Sequence, residues 1–144
     1  MRIASIAILL LLALAIPASG QPATPAPFVV IVHRDNPSTS ITRSFLVDAL
    51  LKRATRWPDG ETIRPVDLPI DSPTRRHITT AVMQRTVQAI RSYWQQMIFS
   101  GRGVPPVELS TEREVVRYVA THRGAIGYVS GSTDTRSVRV VTLR

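Results

Sequence analysis

Apolar positions fall into short segments whose spacing alternates between strand-like and helix-like along most of the chain. Phe28-Val-Val-Ile-Val-His33 is continuous and β-branched, as a strand buried on both faces requires. Ile41, Phe45, Leu46, Ala49 and Leu50 recur at helical spacing, with Ser40 or Thr42 suited to cap that helix. Trp57-Pro58-Asp59-Gly60 is a turn signature. The extended segment Thr62 to Leu68 carries Pro65, which predicts an irregular or edge strand. Asp71-Ser72-Pro73 reads as a helix start, with a capping side chain and proline at the first helical position.

A second helical stripe joins Ala89, Ile90, Tyr93, Trp94, Met97 and Ile98, and Gly101 and Gly103 end it. Thr111 and Glu114 match a capping box ahead of Val115, Val116, Val119 and Ala120. Ala125 to Val129 predicts a buried strand, and Ser137 to Leu143 a last one with Val138, Val140 and Thr142 alternating. Helices and strands taking turns in this way predict an α/β fold with a mostly parallel sheet flanked by helices.

The N-terminus is of a different kind. Arg2 precedes an apolar run from Ile3 to Ile16, too short for an ordinary membrane-spanning helix, and Ala18 and Gly20 supply small residues for cleavage. Residues 1–20 are therefore expected to be a secretory signal peptide, 21–27 a flexible Pro-rich leader, and 28–144 the folded domain. An uncleaved anchor is the alternative, and without cysteine no lipid can be attached at a mature N-terminus.

The 144 residues suit one domain, and 44% hydrophobic content is enough for a core. A net charge of +8 rests on arginine, since Lys52 is the single lysine. The arginines are scattered along the sequence with no dense cluster of the kind that tracks a nucleic-acid backbone, so no nucleic-acid partner is expected. His33, His77 and His122 have no metal-ligand spacing. No nucleophile–base order, phosphate-cradling glycine loop or carboxylate pair is present, which argues against an enzyme and gives no reason to expect a cofactor. Hydroxyls remain as candidate chemistry: Ser38, Thr39 and Ser40 before one helix, Ser72 and Thr74 at the start of another, with Arg75 beside them. Each hydroxyl group reads either as a helix cap or as a contact for an anion held at a helix N-terminus.

Several blocks in order resemble one lobe of the periplasmic phosphate-binding proteins of ABC transporters. They are the loop Asn36 to Ile41, the helix Phe45 to Lys52 running into Thr55-Arg-Trp-Pro-Asp-Gly60, and Pro65-Val-Asp-Leu-Pro69. Tyr93-Trp94 through Phe99-Ser-Gly-Arg-Gly103 and Gly124-Ala-Ile-Gly-Tyr-Val129 complete the set. In that family a Ser-Gly-Thr turn opens the helix that holds the anion, with Arg and Asp shortly before it. Here the turn is Asp71-Ser72-Pro73-Thr74: Pro73 replaces the glycine and removes a donor, and Leu68 and Ile70 stand near the Arg and Asp positions.

The resemblance implies a single lobe of a type II periplasmic-binding-protein-like fold, in a periplasmic or secreted solute-binding-like protein. It implies a weakly held phosphate or other oxyanion at Ser38, Thr39, Ser40, Ser72, Thr74 and Arg75. The alternative is a periplasmic interaction module that has lost the ligand site and meets an envelope protein. A homodimer formed through an apolar face left by the missing lobe is a further expectation.

Overall fold

The computed structural model describes residues 27–144, so the expected signal peptide and all but the last residue of the leader lie outside the described residues. The elements in chain order are β1 (Val29–Val32), β2 (Ser40–Ile41), α1 (Arg43–Leu50), β3 (Arg64–Asp67), α2 (Pro73–Ala81), α3 (Val87–Phe99), β4 (Val107–Glu108), α4 (Glu112–Thr121), β5 (Ala125–Val129) and β6 (Arg139–Leu143). They form one six-stranded sheet in the order β2-β6-β1-β5-β3-β4.

The sheet is mostly parallel, as the alternation of elements predicts. β2 with β6, β3 with β5 and β3 with β4 are parallel pairs, whereas β1 is antiparallel to both its neighbours, β5 and β6. β1 is thus the one strand of the sheet that runs against the rest. Its continuous apolar run still suits it, because it is a central strand whose Val30, Ile31 and Val32 are all buried.

Alternation along the strands sorts the helices onto two faces. Tyr128 and Asp67 share a small cavity with Leu50 and Leu51 of the first helix region, Ile78 and Thr79 of α2, and Ile90 and Trp94 of α3. Their neighbours Gly127 and Val66 point the opposite way, toward Val115 and Val119 of α4. So α1, α2 and α3 cover one face, and α4 covers the other over β5 and β1.

Gly127 is where α4 comes closest to the sheet. A Cβ built there would lie 2.8 Å from a Val66 methyl and 2.9 Å from a Val115 methyl. We expect Gly127→Ala to cost about 1–3 kcal/mol as an overpacking change, read as a lower urea midpoint with an unchanged slope.

Local sequence signals account for the helix starts. Thr42 Oγ1 accepts from Phe45 N (3.1 Å), Thr86 Oγ1 from Ala89 N (3.0 Å) and Ser72 Oγ from Arg75 N (3.3 Å). The Thr111–Glu114 capping box forms in both directions.

Three expectations need correction. Pro65 does not mark an edge strand, since β3 lies between β5 and β4. It is tolerated because Arg64 N already bonds to Gly124 O on the β5 side, while β4 pairs only from Val66 onward. At the level of Pro65 the other side of β3 is open, and the missing donor costs no ladder bond.

The alternation in β6 is read one residue out of phase. Val141 is the buried position, paired with Val30, while Val140 is 46% exposed on the face beyond the reach of α4. The apolar stripe of α3 is only partly covered. Ile90 and Trp94 are buried, but Ile98 is exposed and Ala89 faces solvent.

Candidate functional site

The C-terminal ends of the parallel strands form the edge where a ligand would sit in an open α/β sheet. There α2 starts after β3, α4 starts after β4, and the loop Ser130 to Arg136 leaves β5. Thr74, in the first turn of α2, donates from Oγ1 to Glu112 Oε1 at 2.6 Å. Thr133, in the loop after β5, donates to the other oxygen of the same carboxylate. Glu112 is the first residue of α4, a position that favours negative charge. One carboxylate thereby ties together three segments at the edge of the sheet, and it takes up the Thr74 hydroxyl at the α2 end.

Arg75 turns inward. Its Nη1 bonds to Leu68 O (2.5 Å) and Glu108 Oε2 (3.0 Å), and Nη2 lies 3.1 Å from Asp67 Oδ2. Tyr128 donates its hydroxyl to Asp67 Oδ1. Burial pushes the Asp67 carboxyl above its ordinary value, outweighing the pull of Arg75 and of the Tyr128 bond. Burial, followed by the charge and the hydrogen bond of Asp67, pushes the Tyr128 phenol up. The group is therefore a buried polar network under the helix end, with Arg75 and Asp67 side chains 11% and 15% exposed.

The structure does not bring the predicted anion contacts into one place. Ser72, Thr74 and Arg75 share the start of α2. Ser38, Thr39 and Ser40 run along the opposite margin of the sheet, where β2 pairs only with β6. β2 and β3 stand four strand spacings apart, roughly 19 Å. Ser38 and Ser40 line a shallow recess with Phe45, Trp57, Pro58 and Arg144. Ser38 N bonds to Asn36 Oδ1 (2.9 Å), and Thr39 O accepts from Thr142 N (2.9 Å). These residues belong to an Asn-centred turn and an edge strand, and the adjacent helix takes its cap from Thr42.

Two features escape a reading of the sequence. Glu112 shows there only as a favourable first-turn acid, because its partners Thr74 and Thr133 lie 38 and 21 residues away. Arg34, Arg113, Arg117 and Arg136, from three separate stretches of the sequence, line a single open groove beside α4.

The elements define an open α/β lobe with helix starts gathered at one edge of a mostly parallel sheet. The family model of the PBP superfamily domain matches residues 13–142, and the chain belongs to that family. Among solved structures, an ABC-type phosphate transport receptor from Vibrio cholerae superposes with a TM-score of 0.64 at 19% identity, covering 81% of this chain and 46% of that one. PstS from Borrelia burgdorferi superposes at 0.63 and 12% identity, covering 82% and 47%. A Clostridium perfringens structure of the phosphate ABC transporter substrate-binding type, with bound phosphate, superposes at 0.63 and 21%, covering 81% and 44%. At these identities the likeness establishes the fold, and the chain spans less than half the length of those proteins. No curated protein matches it.

Proposed function

We propose that the chain is an exported, periplasmic solute-binding-like module of the phosphate-receptor type whose anion seat is filled by its own Glu112. Its working contact is then a protein of the envelope, and phosphate or another oxyanion is held at most weakly. The observation that carries this reading is the Glu112 carboxylate bonded to both Thr74 and Thr133 at the helix end. An incoming anion must displace a tethered carboxylate from those hydroxyls and does so without Arg75, which is committed to Asp67 and Glu108. Pro73 leaves the same helix end one donor short. The reading of a binding protein is supported by the likeness to substrate-binding proteins.

Export would be directed by residues 1–20, which are then cleaved off, and no helix among the described residues is long and apolar enough to cross a membrane. Among the described residues the exposed large apolar side chains are Ile70 just before α2, Ile98, Phe99, Val104 and Val107 at the end of α3 and around edge strand β4, and Val140 on β6. Only Ile70 directly precedes the start of α2 in the sequence, which is little apolar surface for a homodimer closing over the seat.

Calorimetric titration with inorganic phosphate tests the proposal. We expect a dissociation constant in the millimolar range, about −4 kcal/mol, for the unaltered chain. Glu112→Gln should tighten it by about tenfold or less, since the amide leaves the hydroxyls less firmly held and removes a repelling charge. Micromolar binding by the unaltered chain that is lost in Ser72→Ala would overturn the filled-seat reading and favour a working receptor.

A further inference from the structure

We propose that the groove beside α4 docks an extended acidic peptide segment of a protein partner. It runs from Glu112 along one side of α4 to Thr121, and its far wall is the loop after β5 with Thr133, Asp134, Arg136 and Ser137. Val116 and Ala120 give it an apolar floor, and Arg34, Arg113, Arg117 and Arg136 supply its positive charge. The carboxylates within it are already engaged: Glu112 with Thr74 and Thr133, and Asp134 with Arg136 (2.6 Å). Among the described residues, neither Arg113 nor Arg117 forms an ion pair.

Like charges four residues apart on a helix repel mildly, and among the described residues neither arginine is taken up in an ion pair. An outside anion would offset that repulsion. The two arginines are spaced about 6 Å along the helix axis. Side chains on one face of an extended peptide repeat about every 6.6 Å, so acidic residues at alternate positions match both arginines in turn. The apolar floor suits the aliphatic stems of those side chains.

The shape selects among anions. A concave channel between a helix and a loop does not meet a flat bilayer. The groove lining holds no aromatic ring on which bases could stack, which disfavours single-stranded nucleic acid. The inference does not depend on whether Glu112 blocks phosphate, because Arg117 lies more than a turn beyond the capped end of α4 and Arg34 and Arg136 come from outside that helix.

Fluorescence anisotropy with a fluorescein-labelled peptide carrying glutamate at alternate positions tests the surface. Arg113→Glu with Arg117→Glu is expected to weaken binding by at least about tenfold. The control, Arg91→Glu with Arg102→Glu, makes the same change in net charge outside the groove and is expected to alter binding by no more than about twofold. Circular dichroism confirms that both variants remain folded. Equal weakening in the two variants would reduce the effect to net charge and overturn the proposal. So would the absence of binding at about 1 mM peptide. Tighter binding of oligothymidylate or of phosphatidylglycerol vesicles, lost in the groove variant alone, would overturn it in favour of that other partner.

Discussion

Trp57→Ala is expected to cost about 3–5 kcal/mol, among the largest single-residue effects in this fold. Trp57 is 3% exposed and sits beneath the turn that its own Pro-Asp-Gly neighbours make. Its ring packs against Phe45 of α1, with centroids 5.2 Å apart. Its indole Nε1 donates to Gly124 O at 3.0 Å, joining the turn after α1 to the start of β5 across 67 residues. The same carbonyl accepts from Arg64 N, which opens the pairing of β3 with β5. Gly124 is needed at this crossing, because a Cβ there would overlap the Thr62 carbonyl oxygen.

Trp57→Phe separates the two contributions. It keeps most of the packing and loses the indole bond, for about 1 kcal/mol, since Gly124 O retains its bond to Arg64 N. Urea denaturation of the three proteins checks the order, unaltered above Trp57→Phe above Trp57→Ala. A Trp57→Ala midpoint close to the unaltered one would show that the turn is not part of the cooperative core.

That crossing also explains why much of the fold was legible in the sequence. The Trp-Pro-Asp-Gly turn and the Gly-Ala-Ile-Gly-Tyr-Val run are dictated by local chemistry, a turn and a strand that a helix approaches closely, and each shows without its partner. The same holds for Ser72-Pro73 and for the Thr111–Glu114 box, whose partners lie three residues away. What stays hidden depends on pairing over long distances. Nothing local in Phe28 to His33 says that β1 runs antiparallel to its neighbours. The phase of β6 follows from where α4 stops covering the sheet, which leaves Val140 outside and Val141 inside.

The candidate site was less legible for the same reason. Ser72 capping its helix is a local fact. Glu112 bridging Thr74 and Thr133 depends on three segments meeting at one edge of the sheet. Arg75 looks like a free cation at a helix start until the fold brings Asp67 and Glu108 to it. Scattered arginines likewise become a groove only when α4 and the loop after β5 are set side by side.

Arg75→Met is expected to be about as damaging as Trp57→Ala, at about 3–5 kcal/mol near neutral pH, because it strands a buried carboxylate. Methionine fills much of the same volume, so the loss is chiefly electrostatic. Asp67 loses the guanidinium 3.1 Å away, and Leu68 O loses a donor. In the unaltered protein the Asp67 carboxyl is already pushed above 3.8 by burial, and the Arg75 charge is the strongest influence holding it down. Without that charge the folded-state value rises further.

The sign follows from linkage. A carboxyl raised in the folded state contributes stability that is fully present below 3.8 and is lost as pH climbs through the folded value. Arg75→Met should therefore fall in stability with rising pH over a wider range than the unaltered protein, and its deficit should narrow toward acid. Adding Asp67→Asn to Arg75→Met removes the stranded charge and keeps a polar partner for the Tyr128 hydroxyl. That double variant should recover part of the loss at neutral pH and little of it near pH 3.8. Urea midpoints for the three proteins across the acid range measure this. A deficit that stays constant with pH, or a double variant less stable than Arg75→Met, would mean that Arg75 acts through packing and not through its charge on Asp67.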